Sequence, residues 1–284
     1  KALEGLNRYP DGSGFYLSQA LAKSVGVDLN QVILGNGSNE LIELAVRTFV
    51  QPGDEVISAD PSFVVYKMIT QAAGGTNVVV PCRDLTHDLD AMAAAITPRT
   101  RVVFIANPNN PTGTMNTQAE MDRFMAKVPD HVLVCVDEAY FEYVTRADYP
   151  DALDQVRSGK NVLSLRTFSK IYGLAGLRIG YGVTRPEVAE MMNKVRQPFN
   201  TNSLGQIGAL AALGDRKHVE KSVTLNNEGK QLLYREFDRL GITYVPTETN
   251  FILFESKGSS KDLYEALLRK GVIVRPMGPQ RLRV

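Results

Sequence analysis

Tryptophan is absent from this 284-residue sequence, and cysteine occurs only twice. Cys82 and Cys135 are too few for a disulfide scaffold, and neither has the spacing of a metal or redox motif. Cys135, inside "HVLVCVDEAY", reads as a small buried hydrophobe. The three histidines, His87, His131 and His218, are scattered without ligand spacing, so no metal is expected. An excess of either charge is also missing. Lys and Arg number 32 against 31 Asp and Glu, the formal net charge is +1, and no basic block exceeds two residues. That excludes a polybasic surface for nucleic acid or acidic membrane. No apolar run approaches the roughly 18 residues of a membrane span, and no signal-peptide pattern opens the chain. What remains is an ordinary globular composition, 44% hydrophobic and 22% charged, expected in a reducing cytoplasm. The sequence opens at Lys1 without a methionine and closes in a strand-like 281–284, so further chain is expected at both ends.

Short β-branched runs alternate with amphipathic stretches. Strands are expected at 32–34, 55–58, 77–80, 101–106, 132–136 and 161–165. Helices are expected at 39–50, at 88–96 behind an Asp88 cap, and to Lys127 behind the Thr117/Glu120 capping box. The strand runs are apolar nearly throughout, as in parallel strands covered on both faces. The fold class is α/β, with a large doubly wound, mostly parallel sheet domain over 30–215. Near Asp215 the pattern changes to a long polar helix, 217–240. Strands at 242–245 and 251–254, a helix at 260–270 capped by Gly271, and a strand at 272–275 follow. This is a smaller α+β domain, 216–284.

Ligands of open α/β sheets sit beyond the carboxyl ends of the strands. There the sequence places "GNGSNE", "NPNNPTG", "DEAY" and "RTFSK". These segments gather Ser38, Asn39, Asn107, Asp137, Tyr140, Ser169 and Lys170, with Arg178 close behind in "GLAGLRIGYG". No histidine joins them, so a hydrolytic triad is excluded. "GNGSNE" begins like a dinucleotide loop but has Glu40 where the last glycine belongs. The set suits a phosphorylated aromatic aldehyde with a basic ring nitrogen. A desolvated Lys170 is a nucleophilic amine for a Schiff base, and Asp137 keeps the ring nitrogen protonated. Asn107 and Tyr140 can hydrogen-bond the phenolic oxygen. Ser38, Ser169, Arg178 and the free N–H groups at the start of the 39–50 helix can hold the phosphate. Phe63, in "DPSFVVY", can stack on the ring. Singly, each has a plainer reading: Asp137 as a cap, Phe63 as core, Lys170 as part of a surface pair. The combination, in this order, points to the cofactor.

These motifs resemble the fold type I pyridoxal-phosphate aminotransferases, with "NPNNPTG", "DEAY" and "SK" followed by "GLAGLRIGY" in family order. "NRYPDGSG", "LGNGSNE", "LRTFSK" and "GVIVRP" resemble one branch, the histidinol-phosphate aminotransferases. The resemblance covers essentially the whole chain. It implies pyridoxal 5'-phosphate on Lys170, glutamate or 2-oxoglutarate and histidinol phosphate as substrates, and a homodimer with shared active sites. Residues 1–29 would serve the dimer and the small domain. Tyr9 would reach the partner subunit's cofactor phosphate, and Arg283 and Arg275 would bind the anionic end of the substrate. The family also has a segment ahead of Lys1 and a longer loop between the two arginines. The alternatives are an aromatic amino-acid aminotransferase of the same branch, a pyridoxal-phosphate lyase of the threonine-phosphate decarboxylase type, and a non-catalytic regulatory domain.

Overall fold

A computed structural model describes residues 2–284. Seven strands build the main sheet: β1 (Val32–Gly35), β2 (Glu55–Asp60), β3 (Thr76–Pro81), β4 (Thr100–Ala106), β5 (Leu133–Asp137), β6 (Val162–Thr167) and β7 (Gly180–Val183). Their order is β1-β7-β6-β5-β4-β2-β3. All pairs from β6 to β3 are parallel, whereas β7 runs antiparallel to both β6 and β1.

The continuous apolar runs are explained by what lies on each face. Alternate residues of β4 enter different cores: Val103 and Ile105 pack with Leu17, Met92 and Phe124, while Val102 and Phe104 pack with Leu41, Tyr66 and Met192. Helices Phe15–Val25, Leu89–Ala94, Gln118–Met125, Ala152–Arg157 and Ser203–Leu213 thus cover one face. Helices Ser38–Phe49, Val65–Ala72 and Pro186–Val195 cover the other. Period-2 side chains and two dry faces make the strand interiors apolar on both sides, and polar residues such as Ser164 and Arg166 enter only with buried partners, here Glu138.

The sequence gives no strand expectation for β7, since "GYGV" carries two glycines. The structure shows why they are there. A Cβ on Gly180 would stand 2.5 Å from the Ser38 nitrogen, and one on Gly182 would stand 2.9 Å from Leu163 Cδ1. Glycine inside this strand marks close approach, not a bend.

The Arg216–Leu240 helix leads to a second sheet of β8 (Leu253–Glu255), β9 (Arg275–Pro276) and β10 (Arg281–Arg283), in the order β8-β10-β9. Its separate core is Phe237, Ile252, Phe254, Val274 and Leu282. Two strand expectations need correction here. Residues 242–245 form only an isolated bridge, Tyr244 to Phe254, because Pro246 has no N–H to continue the ladder. The strand expected at 272–275 shrinks to β9. After Gly271, at φ +79°, the Val272 N–H turns back to the Leu267 carbonyl at 3.0 Å and closes the Ser260–Leu268 helix.

Candidate active site

The carboxyl ends of β4, β5 and β6 open into a cavity lined by residues that include Ser38, Asn39, Phe63, Asp137, Tyr140, Ser169, Lys170 and Arg178. A second cleft continues from Tyr140 and Lys170 to Phe251, Ile273, Arg275 and Arg283. Lys170 therefore stands where the two meet.

One end of the cavity is a cradle of donors. The Ser38–Phe49 helix begins there, behind Gly37 at φ +76°. A Cβ on Gly37 would come within 2.4 Å of Arg178 Nη2, so only glycine admits the guanidinium so close to the helix start. Arg178 Nη1 donates to Ser169 Oγ at 3.2 Å and to the Ala175 carbonyl at 3.0 Å. A helix N-terminus, two hydroxyls and a guanidinium make a site for a multiply charged anion.

At the other end lies Asp137. Its Oδ2 accepts from the Tyr66 hydroxyl at 2.9 Å, and its Oδ1 accepts from the Ala139 N–H at 3.2 Å. Burial pushes the Asp137 carboxyl up, opposed by those two bonds and by Lys170. Burial likewise pulls the Lys170 amine down, helped by Arg283 and Arg178 and opposed by Asp137. Lys170 Nζ lies 5.1 Å from the centre of the Tyr140 ring, whose own hydroxyl burial pushes well above the usual tyrosine range. Desolvation thus presses the acid and the amine toward their neutral forms, and each partly restores the other.

Asn107 follows β4 directly, between the cavity-lining Ala106 and Pro108. It is fully buried, with its Oδ1 accepting from Asn116 N at 2.8 Å and its Nδ2 donating to Asn116 O at 3.2 Å. One Nδ2 hydrogen is left to donate to a ligand. Tyr9 lies outside the cavity, 82% exposed and stacked on Phe199 with centroids 4.8 Å apart. Arg283 spans the outer cleft, with Nη1 on Asn110 Oδ1 and its guanidinium carbon 4.8 Å from the centre of the Phe251 ring. Arg275 pairs with it across β9 and β10. The sequence reading missed Tyr66, Asn110, Thr167 and Phe251. Tyr66 carried a usable signal: it follows Phe63 by three positions, in the first turn of the Val65–Ala72 helix.

A family profile, aminotransferase class I and II, matches residues 1–284. The chain belongs to the class I and II aminotransferases. Among curated relatives it is 54% identical over 268 residues to a histidinol-phosphate aminotransferase of Moorella thermoacetica, covering 94% of this chain and 69% of that protein. It is 49% identical over 288 residues to histidinol-phosphate aminotransferase 2 of Pseudomonas fluorescens, covering 100% of this chain and 78% of the relative. Among solved structures it superposes on the histidinol-phosphate aminotransferase of Sinorhizobium meliloti in complex with pyridoxal-5'-phosphate. That match has a TM-score of 0.92 and 28% identity, over 99% of this chain and 79% of the other. The fold is that of the fold type I enzymes, and membership of this family makes pyridoxal phosphate the cofactor. No described helix is long and apolar enough to cross a membrane.

Proposed function

We infer that this aminotransferase moves an amino group between L-histidinol phosphate and 2-oxoglutarate, forming imidazole-acetol phosphate and glutamate in histidine biosynthesis. The observation that carries this reading is identity of about half to histidinol-phosphate aminotransferases along nearly the entire chain. Neither the aromatic aminotransferase nor the lyase has comparable support.

The residues fit the cofactor on local grounds: a cradle kept open by Gly37, a buried acid facing it, and a desolvated lysine between. When bound, pyridoxal phosphate supplies an aldehyde carbon that carries the amino group and a cationic ring that draws electron density from the substrate Cα. In this proposal Arg178, Ser38, Ser169 and the amide of Asn39 hold the phosphate. Phe63 packs on the ring face. Asp137 holds a proton at the ring nitrogen, and Tyr140 and Asn107 donate to the phenolic oxygen. Lys170, whose ammonium form burial disfavours, moves the proton between Cα and the carbon bearing the amino group. Arg283, assisted by Arg275, binds the anionic end of each substrate.

We also propose a division into an N-terminal segment (1–29), a cofactor domain (30–215) and a small domain (216–284), and a homodimer in which Tyr9 reaches the partner's cofactor phosphate. Exposed apolar side chains at Leu3, Leu6, Ile207 and Leu210 support the pairing. Unpaired Cys82 and Cys135 suit a cytoplasmic setting.

The test is a substrate panel on the loaded protein. Histidinol phosphate with 2-oxoglutarate should exceed phenylalanine in kcat/KM by at least about tenfold, worth ~1.4 kcal/mol of transition-state binding. A preference for phenylalanine moves the protein to the aromatic enzymes, and carbon dioxide release from threonine phosphate moves it to the lyases. Borohydride should fix the cofactor to the peptide carrying Lys170 and nowhere else.

A further inference from the structure

Tyr66 is a buried tyrosine whose hydroxyl touches the acid at the cofactor end of the cavity. Its surroundings leave that hydroxyl little else to do. The ring is 1% exposed and lies flat on Phe104, with centroids 4.5 Å apart and planes 4° from parallel. It meets Phe63 edge-on at 5.7 Å, and its carbonyl accepts from Thr70 Oγ1 at 2.8 Å. A phenylalanine would fill the same stack. A hydroxyl added to so dry a place costs free energy unless it is bonded, and the bond found is to Asp137 Oδ2.

We propose that Tyr66 is a positioning residue for the cofactor's ring nitrogen, acting through Asp137. With Ala139 N–H on Oδ1 and Tyr66 on Oδ2, the carboxylate is held at both oxygens and cannot rotate about its last bond. Its remaining lone pairs keep one direction, toward the cavity. The same bond favours the charged form of Asp137. Burial works to neutralise this acid, and the Tyr66 hydroxyl is foremost among the groups that oppose it. Burial also holds the Tyr66 phenol well above its ordinary range, so it donates at every working pH. A neutral or turned Asp137 would give a ring nitrogen no cause to hold its proton. The inference rests on the assignment of Asp137 made above.

The experiment is a binding cycle with two ligands, pyridoxal phosphate and its analogue with CH in place of the ring nitrogen. Dissociation constants are measured for the wild type and for Tyr66→Phe, with inorganic phosphate as a probe of the opposite end. The wild type should prefer the nitrogen-bearing cofactor, and Tyr66→Phe should shrink that preference by about tenfold, as expected for a hydrogen bond to a charged group. Affinity for inorganic phosphate and a cooperative melting curve should persist. An undiminished preference in Tyr66→Phe overturns the proposal and leaves the role of Asp137 standing. Equal weakening of both cofactors and of phosphate also overturns it, because that is what a merely packing role produces. A wild type without any preference sinks the assignment of Asp137, and this inference with it.

Discussion

Lys170 and Asp137 could be found in the sequence because each follows an apolar strand, where a charge has to be explained. Tyr66 could not, because its partner lies 71 positions away and a tyrosine on an amphipathic helix looks like core. Nor could the sequence show that Asn107 commits its Oδ1 and one Nδ2 hydrogen to the backbone of Asn116. His87 is another residue whose meaning is tertiary. It is 3% exposed, and neither ring nitrogen has a hydrogen-bond partner among the described residues. Burial lowers its pKa from 6.5 to about 4, offset only in part by the neighbouring Asn109 side chain. Between those values the unfolded chain binds a proton that the folded protein refuses. Stability therefore rises with pH across that window and is lost as the pH falls through it. The full loss is about 3 kcal/mol at 1.36 kcal/mol per pH unit. Urea denaturation at pH 7 and pH 4.5 should show most of that difference in the wild type. In His87→Leu it should be smaller by about 2 kcal/mol, and an unchanged difference would mean the imidazole is reached by water.

At the scale of the element, sequence period and caps were enough for the parallel strands and for the Thr117 capping box, which is present with both its bonds. They were not enough for β7, whose glycines look unlike a strand until the helix start on one side and Leu163 on the other are in view. The Gly180 site gives a sharp expectation. In Gly180→Ala the new methyl meets the Ser38 nitrogen and the Gly37 carbonyl carbon, both backbone atoms that cannot turn aside. The helix start and β7 must move apart, which disturbs the cradle that Arg178 completes. Overpacking of this kind costs about 1–3 kcal/mol. Equilibrium dialysis should show cofactor affinity falling at least about tenfold, with the far-ultraviolet spectrum unchanged. Retention of full affinity would show that the cradle tolerates the shift.

Over the whole molecule, the two faces of the main sheet were legible as a class of fold. The second sheet was less so, since strands of two or three residues carry too little periodicity to read. Assembly belongs to this scale as well. Ile207 is half exposed beside Tyr9, in a surface pocket that also includes Pro10 and Gln206. If two chains pair there, Ile207→Asp buries an unpartnered charge and should yield monomers by sedimentation, with cofactor held several-fold more weakly because Tyr9 no longer arrives from the partner. A variant that still sediments as the wild type does would place the pairing surface elsewhere. The antiparallel return of β7 has one more consequence, in time instead of space. Gly37 and Arg178 come from distant stretches of chain and meet only when the returning strand has slid between β1 and β6. Such non-local pairing forms late. A chain still on the ribosome cannot close this cradle on its vitamin before Val183 has been made, so coenzyme capture waits for synthesis to pass the returning strand.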